Sequence, residues 1–345
     1  MKELAEFCKS LKKDFTPKIK DTRKPASFWS EKDIIDKKIV DTFLIILRTR
    51  GCSWAIKSGC SMCGYFNDSI WKKISDEEIL SQINYAMKNY SNQPFIKIFT
   101  SGSFLDNTEI SQKLRKDILK ILFQKCKKVS VESRPEFITD KNLSEIKKIS
   151  GSKIFEIGVG LETADDYIRK RFINKGFVFN DYKKAADLLK KYGFKIKTYV
   201  LIKPPFLTER QSIDDAVKTV EKIKDVTDVI SFNPCNVQRR TFVEYLWKNK
   251  KYRPPWLFTV VEILKQSSKI TDDVLLKCDI AGGGSIRGAH NCKSCDTTFL
   301  KAIKSFSLNQ DIAVFKGLDC DCKEKWLDQL DIENLGFGSL VNMYG

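Results

Sequence analysis

A chain of 345 residues with 42% hydrophobic side chains is long enough for one large α/β domain with a sizeable core. It contains no run of about 18 apolar residues, which argues against a membrane span, and the charged stretch from Met1 to Lys20 has no signal-peptide pattern, so a cytoplasmic protein without a membrane partner is expected. The net charge of +17 favours a polyanion, nucleic acid first, with a solvated lysine-rich surface as the plainer alternative.

Residues 1–38 carry 11 Lys/Arg against 7 Asp/Glu and read as an N-terminal extension with some helix. From Val40 onward, β-rich apolar runs recur at Thr42–Leu47, Phe95–Thr100, Lys128–Glu132, Ile154–Val159, Ile196–Ile202 and Val229–Phe232. Helical stretches separate them. Ser75 to Glu78 and Thr208 to Gln211 fit the capping box, Thr163-Ala-Asp-Asp166 puts acids in a first turn, and Gly193 is a helix stop. Such alternation means parallel strands joined by right-handed crossovers. Six units fall short of a closed eight-unit barrel, so the fold class expected is α/β: a partial (β/α)6 TIM-like barrel over 39–254. Beyond Pro254-Pro255 the pattern changes to one helix over Trp256–Lys269, a Gly-rich turn and a cysteine cluster. Residues 255–345 therefore read as a small, metal-stapled C-terminal appendage.

Eleven cysteines without a secretory signal point to metal rather than disulfides. Cys126 and Cys235 read as buried inert thiols, and Cys8 has no evident role. Cys52, Cys60 and Cys63 share the loop after the first run. Three thiolates in one loop can hold three irons of a 4Fe-4S cluster and leave the fourth iron open. A structural zinc would want a fourth ligand nearby, and the one histidine, His290, is far along the chain. The late group, Cys278, Cys292, Cys295, Cys320 and Cys322, offers five thiols, of which a tetrahedral ion needs four. Structural zinc is the favoured occupant; a second iron–sulfur cluster and no metal are the alternatives. His290 is a ligand, a partner of a thiolate or a substrate contact.

Three cysteines after strand one of a partial barrel resemble the radical S-adenosylmethionine (SAM) superfamily. The spacing here is C-x7-C-x2-C where C-x3-C-x2-C is usual, and Met62 stands where an aromatic is usual. The resemblance implies 4Fe-4S and SAM as cofactors and an external electron donor. It assigns the backbone of Met62 to the adenine and Ser101-Gly102-Ser103 to the SAM amino group, where two consecutive glycines are usual. Glu132-Ser-Arg134 matches the same site in tRNA-modifying members, and Glu162 the ribose contact. An ordinary strand-end turn is the alternative at each. The tract Cys52–Phe66, Glu132–Pro135 and the tail Gly282–Cys295 with Leu308–Cys322 resemble, more narrowly, the archaeosine-synthase radical SAM subunit family over residues 25–330. That implies a lyase acting on tRNA, which cleaves a carbon–nitrogen bond in a lysine-adducted 7-deazaguanine made by a lysine-transferring partner subunit.

Gln238–Arg253 has six basic residues, one acid and four aromatics, a mix suited to phosphate contact and base stacking, or to a surface helix with its aromatics in the core. Lys203, Asn233, Arg239, Arg240 and His290 are the candidate substrate residues. Two other radical SAM readings fit less well. Methylthiolation brings further N-terminal cysteines, whereas only Cys8 precedes Cys52, and elongator-type chemistry needs an acetyltransferase domain. A noncatalytic, zinc-stapled tRNA-binding protein is the alternative from another class.

Overall fold

The computed structural model describes residues 2–17 and 20–336. Eight strands form one sheet in sequential order. β1 (Ser27–Ile35) and β2 (Lys38–Ile46) pair antiparallel through a two-residue turn, with Asp36 and Lys37 at φ of 49° and 62°, the backbone that a tight hairpin demands. Every later pairing is parallel: β3 (Phe95–Phe99), β4 (Lys128–Glu132), β5 (Ile154–Glu162), β6 (Lys195–Ile202), β7 (Val229–Pro234) and β8 (Leu275–Cys278). The six strands expected from sequence are all present. The sheet also runs past both expected boundaries, because β1 lies in the 1–38 segment and β8 lies in the 255–345 segment. One hydrophobic core likewise extends from Phe43 to Leu330, so the tail packs into the barrel rather than beside it.

Capping chemistry sets the crossover helices. Ser75 and Thr208 each close a reciprocal capping box, on helices Asp76–Met87 and Glu209–Ile223, and Gly193 follows helix Phe179–Lys191 at φ of 70°. Asp165 caps the short helix Asp166–Ile168, accepting from the Tyr167 and Ile168 amides, and Asp166 lies in its first turn as expected. Among the described residues, no helix is long and apolar enough to cross a membrane.

Strand alternation sorts the side chains into two faces. Ile96, Ile98, Val129, Val131, Ile157, Ile230 and Phe232 are fully buried, as expected for the face under the helices. On the alternate positions the sheet is ionic. Lys97, Ser130 and Glu156 are cross-strand neighbours, as are Tyr199, Ser231 and Lys277. Lys128 pairs with Glu156 at 2.5 Å, and burial of that carboxyl is outweighed by Lys128, which holds its pKa below the usual range. Asp33 of β1 pairs with both Lys97 and Lys277. The last contact ties the two edge strands together through side chains, where the sheet order leaves them without ladder bonds to each other. An open, curled sheet results, with its C-terminal strand ends free to carry loops.

Helix Glu209–Ile223 is fastened to the end of β5. Thr163 Oγ1 donates to Asp215 Oδ1 at 2.6 Å, the Ala164 amide donates to Thr219, and Asp215 Oδ2 has no partner among the described residues. Burial pushes the Asp215 carboxyl up to about 7, with the Thr163 bond opposing it. An unfolded aspartate titrates near 3.9. Folding therefore takes up a proton between these values, and stability falls as pH rises from about 4 to about 7, then levels. Asp215→Asn removes that slope: its melting temperature, followed by circular dichroism, should exceed the parent's by a few degrees at pH 8 and converge with it near pH 4.

Candidate active site

The loop after β2 is built to present three thiols. Its start continues the sheet, with the Leu47 amide donating to Phe99 O at 2.8 Å. Cys52 sits at the N-cap of helix Ser53–Lys57. Gly51 and Gly59, at φ of 96° and 91°, turn the chain at either end of that helix. The loop is then pinned by a segment that sequence reasoning had passed over. The π-helical turn Arg169–Ile173 ends at Asn174, which is left-handed at φ of 56°. Trp54 Nε1 donates to Asn174 O at 2.8 Å, Ser61 Oγ to Phe172 O at 2.6 Å, and Asn174 Nδ2 to Gly59 O at 2.8 Å. On the other flank the Gly64 amide donates to Gln238 Oε1. A π-turn at this place fits the frequent use of such irregular turns at functional sites.

Cys52, Cys60 and Cys63 are partly exposed. Desolvation pushes the Cys63 thiol up to about 12, with Cys60 and Cys52 adding to the effect. Desolvation also raises Cys52, opposed first by the Arg134 guanidinium. Among the described residues, only the late cysteines bring three or more ligand atoms within 4.8 Å of one another. The early three are not such a group, yet Cys60 and Cys52 lie near enough to Cys63 to act on it electrostatically, as three ligands of one cluster would. The donor set thus fits a 4Fe-4S cluster held by three cysteines, with one iron free for SAM.

The strand-end residues predicted for SAM converge on this loop. A Cβ at Gly102 would lie 2.6 Å from Cys52 Cα, so only glycine permits the approach. Beside it, the Ser103 amide donates to Glu109 at 2.5 Å, and Ser103 Oγ accepts from the Arg134 amide at 3.1 Å. Glu109 also accepts from Thr49 Oγ1, just before the thiol loop, and burial raises its carboxyl to about 7. Ser101 is half-buried in the same turn. Arg134 donates to Lys175 O at 3.0 Å and stacks between Trp54 and Phe177 at 5.4 and 5.5 Å. Glu162 is held at φ of 70° and pairs with Lys175 at 2.5 Å. Burial works against the Lys175 ammonium, but Glu162 and Cys60 outweigh it and hold its pKa above the usual lysine value. Glu132 is raised by burial and bonded to Tyr199. Met62 packs against the second buried cluster, which includes Phe172, Ile173 and Val243. Glu109 and Lys175 carried no sequence signal, because their meaning comes from contacts 60 and 13 residues away.

The substrate candidates separate. Arg239 and Arg240 are exposed and, with Lys20 and Tyr65, line a cleft of about 600 Å³ that starts at Gly64, next to Cys63. Tyr65 is 58% exposed, and Arg240 is steadied by Asn67 at 3.1 Å and by the Phe15 ring at 5.2 Å. Asn233 is half-buried in β7. Lys203 is not at the opening: its amine is buried in a 2.5 Å pair with Glu209. Of the four aromatics in 238–253, Tyr252 is buried and Phe242 packs on Phe206, while Tyr245 stays 45% exposed. His290 is turned to the tail, its Nδ1 2.8 Å from Gly288 O, with burial lowering its pKa.

The tail forms a second site. Sγ separations are 3.6 Å for Cys292–Cys295, 3.6 Å for Cys292–Cys320 and 3.8 Å for Cys295–Cys322. Thiolates arranged tetrahedrally at about 2.3 Å from zinc lie about 3.8 Å apart, so this quartet fits a single zinc ion. Of the five candidates Cys278 is the one left out: it is the buried last residue of β8 and lies outside the quartet. His290 is likewise outside it. Asn291, unremarked in the sequence, donates to Cys295 Sγ at 3.4 Å while its Oδ1 accepts from the Leu257 amide at 2.8 Å, joining the quartet to helix Leu257–Ser268. From helix Cys322–Gly336, Trp326 Nε1 donates to Thr259 at 2.9 Å, and Thr259 donates to Glu209, the partner of Lys203.

The family model described as the radical SAM superfamily matches residues 46–223. Archaeosine synthase subunit beta of Methanosarcina acetivorans is 40% identical over 324 residues, spanning 93% of this chain and 94% of that protein. The protein of the same name from Thermococcus kodakarensis is 37% identical over 307 residues, 87% of this chain and 95% of its own. Among solved structures, Elp3 of Methanocaldococcus infernus with an N-terminal deletion covers 70% of this chain and 58% of that chain at 18% identity, with a TM-score of 0.49. The chain belongs to the radical SAM superfamily and, within it, to the family of archaeosine synthase subunit beta.

Two outcomes follow from the geometry. Gly102→Ala forces the loop away from Cys52 and should weaken SAM binding by at least about tenfold in equilibrium dialysis, as expected of overpacking worth more than about 1 kcal/mol. Cys295→Ser or Cys320→Ser should remove the bound zinc measured by elemental analysis, whereas Cys278→Ser should retain it.

Proposed function

We propose that this chain is the radical-forming subunit that completes archaeosine in tRNA, acting on a 7-deazaguanine to which a partner subunit has joined lysine. A cluster at Cys52, Cys60 and Cys63 together with SAM supplies, when bound, a 5′-deoxyadenosyl radical able to take hydrogen from the lysine portion, after which the carbon–nitrogen bond breaks. An external donor provides the electron. The chain's residues hold and screen this chemistry. Arg134, clamped between Trp54 and Phe177, and the Glu162–Lys175 pair form a rigid polar wall beside the thiol loop. Gly102 lets the SAM-side turn lie against Cys52.

The observation that carries the reading is the basic cleft at Gly64–Asp68 and Val237–Arg240. Its lining supports the reading: Arg239, Arg240 and Lys20 suit phosphate contact, and Tyr65, two residues after Cys63, suits stacking on an extruded base. A D-loop base must leave its stack to reach a buried radical, so cation and aromatic side chains at the same opening suit that task.

Anaerobic incubation with SAM, dithionite and lysine-adduct tRNA tests the reading by mass spectrometry. Archaeosine and 5′-deoxyadenosine should rise together; deoxyadenosine with an unchanged base would overturn the substrate, and neither product from a cluster-loaded protein would overturn the chemistry. The paired change Arg239→Glu and Arg240→Glu should weaken tRNA binding by more than about tenfold at moderate salt and flatten its salt dependence. SAM binding should be unchanged.

A further inference from the structure

The segment ahead of β1 carries a buried cation that the proposed function leaves unused. Lys12 follows helix Lys2–Ser10 and is only 6% exposed. Its Nζ donates to Ala55 O at 2.6 Å and Ser58 O at 2.5 Å, and it lies 5.3 Å from the centre of the Phe66 ring. Those two carbonyls close helix Ser53–Lys57, the one turn between Cys52 and Cys60. A Cβ at Gly59 would collide with the ammonium, so the glycine makes room for it. The segment is anchored on both sides: Phe7 packs edge-on against Phe242 and Tyr245 at 5.5 and 5.0 Å, and Phe15 against Phe66 and Trp71 at 5.5 and 5.1 Å.

We propose that Lys12 is a positioning residue of the cluster loop, which fixes the turn between Cys52 and Cys60 and offsets the negative charge held by the three thiolates. The inference rests on the assignment of the cluster to Cys52, Cys60 and Cys63. Among the described residues two carbonyls and a ring receive this ammonium, and burying it there is unfavourable unless negative charge lies close by. Cys60, Cys63 and Cys52 are within electrostatic reach of Nζ. Each thiolate brings a negative charge, and reduction of the cluster by a one-electron donor adds another. A fixed buried cation favours the reduced form, because net charge and nearby polar groups set such potentials. The extension is thereby part of the active site.

The test compares reconstituted parent, Lys12→Met, Lys12→Arg and the exposed neighbour Lys13→Met. Redox titration followed by electron paramagnetic resonance gives the potential, chelator-driven iron release gives the hold on the loop, and bound zinc reports the fold. Lys12→Met should lower the reduced-to-oxidised ratio at a fixed poise about tenfold, equal to about 59 mV for one electron, and release iron faster. Lys12→Arg should keep the potential near the parent's, and Lys13→Met should match the parent in both readouts. A zinc-loaded Lys12→Met that takes up no iron, while Lys13→Met does, also supports the role. Parental potential and iron release in Lys12→Met overturn it, and loss of zinc and iron together in Lys12→Arg as well as Lys12→Met would make Lys12 a general folding residue instead. A parent protein that takes up no cluster removes the underlying assignment, and this inference with it.

Discussion

The thiols of Cys52 and Cys63 have to ionise in surroundings that resist ionisation. Desolvation lifts Cys63 to about 12 and raises Cys52, so iron must arrive with help from fixed positive charge. Much of the local architecture answers that need. Arg134 lies beside Cys52, Lys175 is held as a cation against Glu162, and Lys12 grips the turn from the far side. None of the three is free to wander: aromatic rings, backbone carbonyls or a carboxylate fix each one. Preorganised charge of this kind loses little to rearrangement when an electron arrives.

The sheet supplies the rigid frame for that loop. Its helix-facing positions are apolar, and each fully buried aliphatic side chain there is worth about 1.5–3 kcal/mol. The other positions carry paired ions, with Asp33 binding Lys97 and Lys277 across the gap between the edge strands. The cysteine quartet of the tail adds a brace from outside. Cys322 opens the helix whose Trp326 reaches Thr259, and through Glu209 the link arrives at Lys203 at the end of β6. Lys203 holds a left-handed φ of 59°, an uncommon backbone for lysine that its buried pairing sustains. The tail metal is thus mechanically connected to a strand end of the barrel, far from the thiol loop in sequence.

Much of the fold could be read from the chain, and the exceptions share a cause. The six central strands announced themselves as apolar runs between capped helices. β1 did not, since Ser27–Ile35 mixes Glu31, Lys32 and Asp33 among its apolar residues. Lys32 pairs with Asp41 across the hairpin, but Glu31 and Asp33 find their partners only once Lys97 and Lys277 are in place on later strands. β8 is four residues long and ends on a cysteine, which composition alone offers to the metal. At the site, Cys52, Cys60, Cys63 and Gly102 were legible because local spacing specifies them. Glu109, Arg169–Asn174, Lys175 and Lys12 were not, because each acts through a contact made by folding. Lys203 failed as a free cation for the same reason: Glu209, six residues on, claims it in the folded chain.

The central claim is that three protein thiolates serve four irons and leave one iron to SAM. Mössbauer spectroscopy of the protein reconstituted with 57Fe, before and after SAM is added, addresses it most directly. The account predicts that one iron site separates from the other three and that its signal alone shifts when SAM binds. Four irons that respond alike, or a spectrum that SAM leaves untouched, would contradict it.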